Sequence, residues 1–525
     1  MNNMTTCDVI LIGAGHNGLT AAAYLARAGQ KVLALERREV VGGAVVTEEF
    51  APGFKVDTVF HCGELRPDIV RDLDLTQHGL EIIGRNAPLF APQPEGGGLL
   101  LSPGQVQTVE AIARFSKADA RQWPAFAALL SKVAGFLNEA YATTFPRVPK
   151  VDTSEAPVLA QLGLKLRGLG KRDMLEALRV LPMSLMELLD EWFESDALKG
   201  AVGAQGVHGL TQGPFSAGTA FLLVHHWANH NGLFKATAKG GLGAITQALA
   251  SAAKAFGAEI RTGAEAARVN VQDGKAVGVT LTSGESISAR LVVSNADPRR
   301  TFLGLVGPLE LDPHFVWGVQ NIKLRGAVAK VHLALDGLPR FKGVDGDAHL
   351  RGTIVISPSL PYLERAYDAA KYGEISPQPY LEITVPSLAD PSLAPAGKHV
   401  LSVHAQFAPY HLKNGTWEAK REALGDWVIG TLSEYAPNLR SLILQSQILT
   451  PLDLENRFGL TEGSLHHGEM MLDQILFMRP VPGWAQYRTP IEGLYLCGSG
   501  AHPGGGVTGA PGRNAARQIL KDLTR

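Results

Sequence analysis

"DVILIGAGHNGLTAAAYLARAGQKVLALERREVVGGAVVTEEF", residues 8–50, decides the fold. The apolar run 9–12 is predicted to be a buried parallel strand feeding a tight turn. Gly13 permits that turn, Gly15 lets backbone approach a pyrophosphate, and Gly18 lets the next helix pack closely on the sheet. The alanine-rich helix over 19–28 closes at Gly29, so its N-terminal N–H groups and dipole face whatever anion lies in the turn. The following strand, 31–35, ends in Glu36, where a carboxylate can accept from the 2′- and 3′-hydroxyls of a ribose. Glu36 disfavours a 2′-phosphate, although Arg37 and Arg38 stand beside it. The pair Gly42 and Gly43 would let backbone lie against the phosphates or sugar chain of a dinucleotide.

Working outward, 525 residues leave room for two or three domains' worth of core. The balance of 49 basic against 50 acidic residues gives no electrostatic reason to expect nucleic acid. The three cysteines, Cys7, Cys62 and Cys497, have neither C-x-x-C nor zinc spacing, which predicts no disulfide framework and no metal site. A reducing, cytoplasmic setting fits that usage. The first strand leaves no length for a signal peptide and no run of eighteen apolar residues occurs, so a soluble or peripherally bound protein is expected.

Proline and glycine in "NAPLFAPQPEGGGLLLSPGQ", residues 86–105, break the α/β rhythm and suggest an excursion from the first domain. Residues 107–200 read mainly as helices. The first rhythm returns over 239–298, with a helix near 242–256 and three short strands after it. Residues 311–480 form a second excursion, in which "AVAKVHLALDG", "PYLEITVPS" and "KHVLSVHAQF" suggest a sheet. At the end, "GLYLCGSGAHPGGGVTGAPGRNAARQILKDL", residues 493–523, repeats strand, glycine loop and helix. The fold class is therefore α/β: a Rossmann-like nucleotide domain assembled from 1–85, 235–310 and 485–525, with a substrate domain of mixed sheet and helices from 86–234 and 311–484.

A second glycine loop opening a helix suits a cofactor with another electron-rich end. Reduced flavin carries negative charge over N1 and the C2 carbonyl, and the N–H groups of Val507, Thr508 and Gly509 are candidate donors to it. The sequence resembles the FAD-dependent phytoene desaturase and carotenoid isomerase superfamily, which shares its FAD fold with the monoamine oxidases. Within it, "HHGEMMLDQILFMRP" and "LYLCGSGAHPGGGVTGAPGRNAA" are most similar to a branch named for a pyridine nucleotide-disulfide oxidoreductase domain. The resemblance implies phosphate contacts at Gly13, Gly15 and Gly18, ribose contacts at Glu36, and further contacts at Gly42 and Gly43. It implies adenine-side backbone near Val269 and flavin-side loop contacts at Gly498, Ser499 and 506–509. Ala44 stands where many members have arginine, so a guanidinium contact is absent there or supplied elsewhere. No close cysteine pair and no second full G-x-G-x-x-G support disulfide reduction or a tight NAD(P)H site.

Hydride transfer at flavin N5 needs mainly orientation and exclusion of water, so a catalytic side chain is optional. His467 and Glu469 are candidates to hold substrate or shuttle a proton; a hydrogen-bonded pair fixing a loop is the alternative. His502 is placed by position beside the flavin ring, and His225, His226 and Trp227 as core or cavity lining. Trp484 and Tyr487 are candidates for an aromatic wall, and Asp297 for a turn. The resemblance implies desaturation, saturation or isomerisation of an apolar, polyene- or isoprenoid-like small molecule, with electrons passing to a quinone, oxygen or another acceptor. An amine oxidase and a flavin-bearing regulatory protein with little turnover are the alternatives. Peripheral membrane contact is compatible with a lipid-soluble substrate.

Overall fold

The computed structural model describes residues 6–524 apart from 149, 150, 152, 154 and 231. Strand Thr6–Ile12 lies inside a seven-stranded sheet, parallel to Val32–Leu35 on one side and to Ser286–Ser294 on the other. Glu259–Arg261 extends the sheet beyond Val32–Leu35, and Leu494–Leu496 pairs in parallel with Ser286–Ser294. The hairpin of Ala266–Gln272 and Lys275–Leu281 adds antiparallel strands beside Ser286–Ser294. Helices His16–Arg27, Gly243–Ala255 and Ala510–Leu523 pack together over this sheet. That covering is why Val9, Ile10 and Leu11 are all apolar and fully buried, each such side chain contributing about 1.5–3 kcal/mol.

Register fixes where the site falls. Ile12 lies opposite both Leu35 and Ser294, so the next residues, Gly13, Glu36 and Asn295, leave the sheet together at its carboxyl edge. In an open parallel sheet that edge is where ligands bind.

The second sheet runs in the order Ile443–Leu449, Val328–Leu335, His399–Gln406, Tyr380–Thr384, Thr353–Ile356, Leu89–Pro92 and Gly98–Leu101. The proline- and glycine-rich stretch 86–105 thus forms a hairpin at one of its edges. Residues 105–207 supply helices, including the long Lys117–Tyr141. Side chains alternate across a sheet, and here both faces are buried. One face carries Val331, Leu333, Ile383, Leu401 and Val403 in an apolar core. The other carries Lys330, His332, Glu382 and His404, none more than 1% exposed. Among the described residues no helix is long and apolar enough to cross a membrane.

Candidate active site

A cavity of about 440 Å³ opens at the carboxyl edge of the first sheet, and Gly13, Gly15, Glu36, Arg37, Gly43 and Ala44 all line it. Gly18 and Gly42 stand behind its wall. A Cβ on Gly18 would lie 2.2 Å from the Gly13 carbonyl oxygen. The Gly42 N–H donates to the Ala14 carbonyl at 2.8 Å, which holds the second glycine pair against the first turn. Val269 lies outside the cavity, buried at 3% exposure in its strand, and the lining falls instead on 264–267, where the chain enters that strand.

The residues present fit a dinucleotide. Helix His16–Arg27 has no side-chain cap and no acid in its first turn, so its leading N–H groups and positive dipole end are free for a pyrophosphate. The Glu36 carboxylate is fixed by the N–H groups of Ala14 at 2.9 Å and Arg38 at 3.0 Å, one on each oxygen. Each oxygen keeps a lone pair for a ribose hydroxyl. Asn17 Oδ1 is buried without a partner, and its Nδ2 donates to Ser499 Oγ at 3.2 Å. The Arg37 guanidinium donates to the carbonyls of Asn456 and Arg457 at 3.2 and 3.0 Å. These bonds tie Arg37 to the end of helix Pro451–Phe458.

The C-terminal glycine loop closes the inner end, where Ser499 and Gly506 join His16, Phe60 and His467. Gly498 lies one layer back, its Cβ position 2.5 Å from the Asn295 carbonyl oxygen. Val507 packs against Gly63, and the Thr508 carbonyl accepts from Arg66 N at 3.1 Å. Gly509, at φ +73°, opens helix Ala510–Leu523, which also lacks a side-chain cap and an acidic first turn. Arg479 braces the loop: it is buried, and its Nε donates to the Ser499 carbonyl at 2.9 Å. Its other nitrogens donate to the carbonyls of His466, Gly468, Glu469 and Gln474. Burial lowers its pKa to about 9. Sequence reasoning missed Arg479, although a lone arginine inside "ILFMRPVP" is an available signal.

The pair expected at His467 and Glu469 is separated. His467, at φ +54°, faces the dinucleotide cavity, and burial lowers its pKa. Glu469 faces a different cavity of about 720 Å³. Its Oε1 accepts from Thr211 N at 3.1 Å, and burial pushes its pKa up to about 7. His502 also points away from the cavity: its Nε2 meets the Ala140 carbonyl at 3.0 Å and its ring packs on Phe145. Tyr487 donates to the His502 carbonyl at 3.0 Å. Trp484 lies under Arg147. Neither aromatic ring lines the dinucleotide cavity. Asp297 does more than turn the chain: buried, it accepts from Thr461 Oγ1 at 2.6 Å and Arg300 N at 3.0 Å.

The second sheet brings together a cluster that the sequence did not announce. Lys330 lies opposite His404, and His404 opposite Glu382, on three adjacent strands. Glu382 accepts from His61 Nε2 and Lys235 Nζ, each at 2.5 Å, from Gln205 Nε2 at 3.0 Å and from the Tyr380 hydroxyl at 2.9 Å. Lys330 Nζ lies 3.2 Å from His61 Nδ1. His61 therefore carries its proton on Nε2 and accepts at Nδ1. Burial alone would raise the Glu382 pKa, but the Lys235 ammonium and the adjacent imidazoles hold it well below the usual carboxylate value. Burial pulls Lys330 down to about 8 and pushes the Cys62 thiol up to about 11.

The donor atoms of His61, Cys62 and Glu382 lie within 4.8 Å of one another. Two ammonium groups already occupy this set and repel a cation, so its chemistry is that of an ion-paired acid–base cluster. It adjoins the dinucleotide cavity through one short segment: Phe60 lines the cavity, His61 binds Glu382, and Gly63 packs on Val507.

Residues 18–520 match the family of flavin-containing amine oxidoreductases, and the chain belongs to that family. It is 38% identical to pyridine nucleotide-disulfide oxidoreductase domain-containing protein 2 of Rattus norvegicus, over 98% of this chain and 94% of the relative. It is 28% identical to a limonene dehydrogenase subunit of Castellaniella defragrans, over 100% of this chain and 96% of the relative. An oxidoreductase from Methanosarcina mazei shares the fold, with TM-score 0.63, 19% identity and coverage of 98% and 100%. The fold is thus that of an FAD-dependent oxidoreductase, as the resemblance implied. The chain is a flavin-dependent oxidoreductase, with a small-molecule substrate and an electron acceptor.

Proposed function

We propose that the protein dehydrogenates a carbon–carbon bond of an apolar, isoprenoid-like small molecule. FAD held in the cavity supplies a two-electron hydride acceptor at N5. Gly13, Gly15 and the start of helix His16–Arg27 would hold its pyrophosphate, and Glu36 would accept from the ribose of its adenosine. Ser499, Gly506 and His467 line the inner end of the cavity. Removing hydrogen across a carbon–carbon bond releases a proton as well as a hydride. The observation that carries this reading is the acid–base cluster around Glu382, joined to the inner end of the cavity by 60–63. Burial keeps the His61 imidazole neutral at pH 7, with its pKa near 4, and with Lys330 at Nδ1 and Glu382 at Nε2 it can relay a proton between them. The apolar substrate class rests on the likeness to the limonene dehydrogenase chain, whose named substrate is an isoprenoid hydrocarbon.

The test is the visible spectrum of the purified flavoprotein under anaerobic conditions, before and after adding limonene or a total lipid extract. Bleaching of the flavin band by either supports the reading. No bleaching by either, together with bleaching by primary amines and release of peroxide on readmitting air, would replace it with amine oxidation.

A further inference from the structure

Buried polar groups almost always find a partner, yet His226 Nε2 and His230 Nδ1 have no hydrogen-bond partner, and His208 Nδ1 has only a long contact to a carboxylate. These rings form a file. His208 Nδ1 stands 3.5 Å from Glu382 Oε2, and its ring centroid lies 5.6 Å from that of His226. His226 lies 6.1 Å from His230, with nearly parallel rings. His230 lines a cavity of about 520 Å³, whose wall also includes Arg66, Asn138 and Thr508. At the other end, Glu382 binds His61, next to the wall of the dinucleotide cavity. The charged groups facing the file are Lys235, Lys330 and Glu382.

We propose that this file, from His61 and Glu382 through His208 and His226 to His230, is the proton path between the flavin end of the dinucleotide cavity and the cavity at Thr508. A neutral imidazole has one donor and one acceptor nitrogen, so it can take a proton on one and release another from the opposite one. Where two rings do not touch, one bridging water closes the step, and the unpartnered nitrogens are the sites such waters would fill. Burial holds His208, His226 and His230 below the ordinary imidazole pKa, so all three rings rest neutral at pH 7. Resting on the dehydrogenase reading, the step balances as follows. With FAD bound, one C–H bond would give its hydride, with two electrons, to the flavin, the adjacent C–H bond would give its proton to the file, and a carbon–carbon double bond would form. The substrate would be oxidised by the flavin, and one proton would leave by way of His230.

The experiment needs no substrate, so its failure is separable from failure of the dehydrogenase reading. The flavin-loaded protein, in weak buffer with a pH-indicator dye, is reduced by light in the presence of EDTA and a deazaflavin. Bleaching of the flavin and uptake of protons are followed together, and an equal amount of free FAD reduced at the same rate gives the reference for protons released on oxidation of EDTA. In the wild type the two should coincide. In His226→Leu and His230→Ala, at unchanged flavin content, proton uptake should lag bleaching at least tenfold, and added imidazole should restore it in His230→Ala. Should His226→Leu fail to retain flavin, His230→Ala with and without imidazole decides. Uptake that keeps pace with bleaching in His230→Ala would overturn the proposal.

Discussion

The dinucleotide cradle and the Glu382 cluster are built on opposite principles. The cradle is made chiefly of backbone: a turn at Gly13, a close approach at Gly18, a free helix N-terminus and one carboxylate, mostly within forty residues of chain. The cluster is made of side chains from far-separated positions, His61, Gln205, Lys235, Lys330 and Glu382, which only the second sheet and its covering helices bring together. At Gly15 and Gly18 the cradle has no room for a Cβ.

The largest expected effect is on the cradle. Gly15→Trp fills the pyrophosphate site, since even a Cβ there would lie 2.8 Å from Asn295 Nδ2. The purified variant should lose its flavin, read as the ratio of visible to protein absorbance, while keeping its helical circular dichroism. Full retention of flavin would show that the phosphates lie elsewhere.

Next comes the cluster. Glu382→Leu strands the Lys235 ammonium in the core, which should cost about 3–5 kcal/mol of stability, read as the denaturant midpoint. The sign with pH follows from the depressed pKa of Glu382. Its contribution is present above the unfolded carboxyl value, about 4.3, and is lost as pH falls through the still lower folded value. The acid limb of unfolding below about pH 4 should therefore flatten in Glu382→Gln. An unchanged acid limb would mean that the cluster carries no net ion pairing.

Glu469 sharpens the contrast, because it is buried without a cation bound to it. Its folded pKa of about 7 lies above the unfolded value. The folded state thus holds the extra proton between these values, and stability falls as pH rises through that window. Glu469→Gln should raise stability at pH 8 by on the order of 2–3 kcal/mol relative to wild type, with little gain at pH 4. Equal gains at both pH values would disprove the raised pKa. The smallest effect is at the ribose end, where Glu36→Ala removes one charged hydrogen-bonding partner, about 1.5–3 kcal/mol. FAD affinity should fall roughly ten- to hundredfold, measured by titrating FAD into the flavin-free protein.

Legibility followed the same division. Glu36 could be placed at the carboxyl edge from the sequence because strand, glycine turn, helix and strand are contiguous, and the register of Leu35 against Ile12 then fixes its position. Gly42 and Gly43 stood close to that turn in the chain for the same reason. Val269 was not legible: the chain meets the cavity a few residues earlier, at 264–267, and strand edges carry no mark of where a neighbouring loop will touch. His467 and Glu469 looked like one site because they are two residues apart. The positive φ values at His467 and Gly468 turn the chain between the two side chains, which line different cavities. Arg479 and Glu382 were passed over because a charged residue in an apolar segment reads as a surface position until its partners are known.

By itself, then, the sequence determined the backbone of this protein's dinucleotide cavity: residues near in chain, with glycines where atoms are excluded and an acid at a strand end. Only the tertiary structure decided the acid–base environment above that cavity. A carboxylate becomes a buried ion-pair centre through cross-strand register and the packing of distant segments, and neither is encoded by any local run of residues.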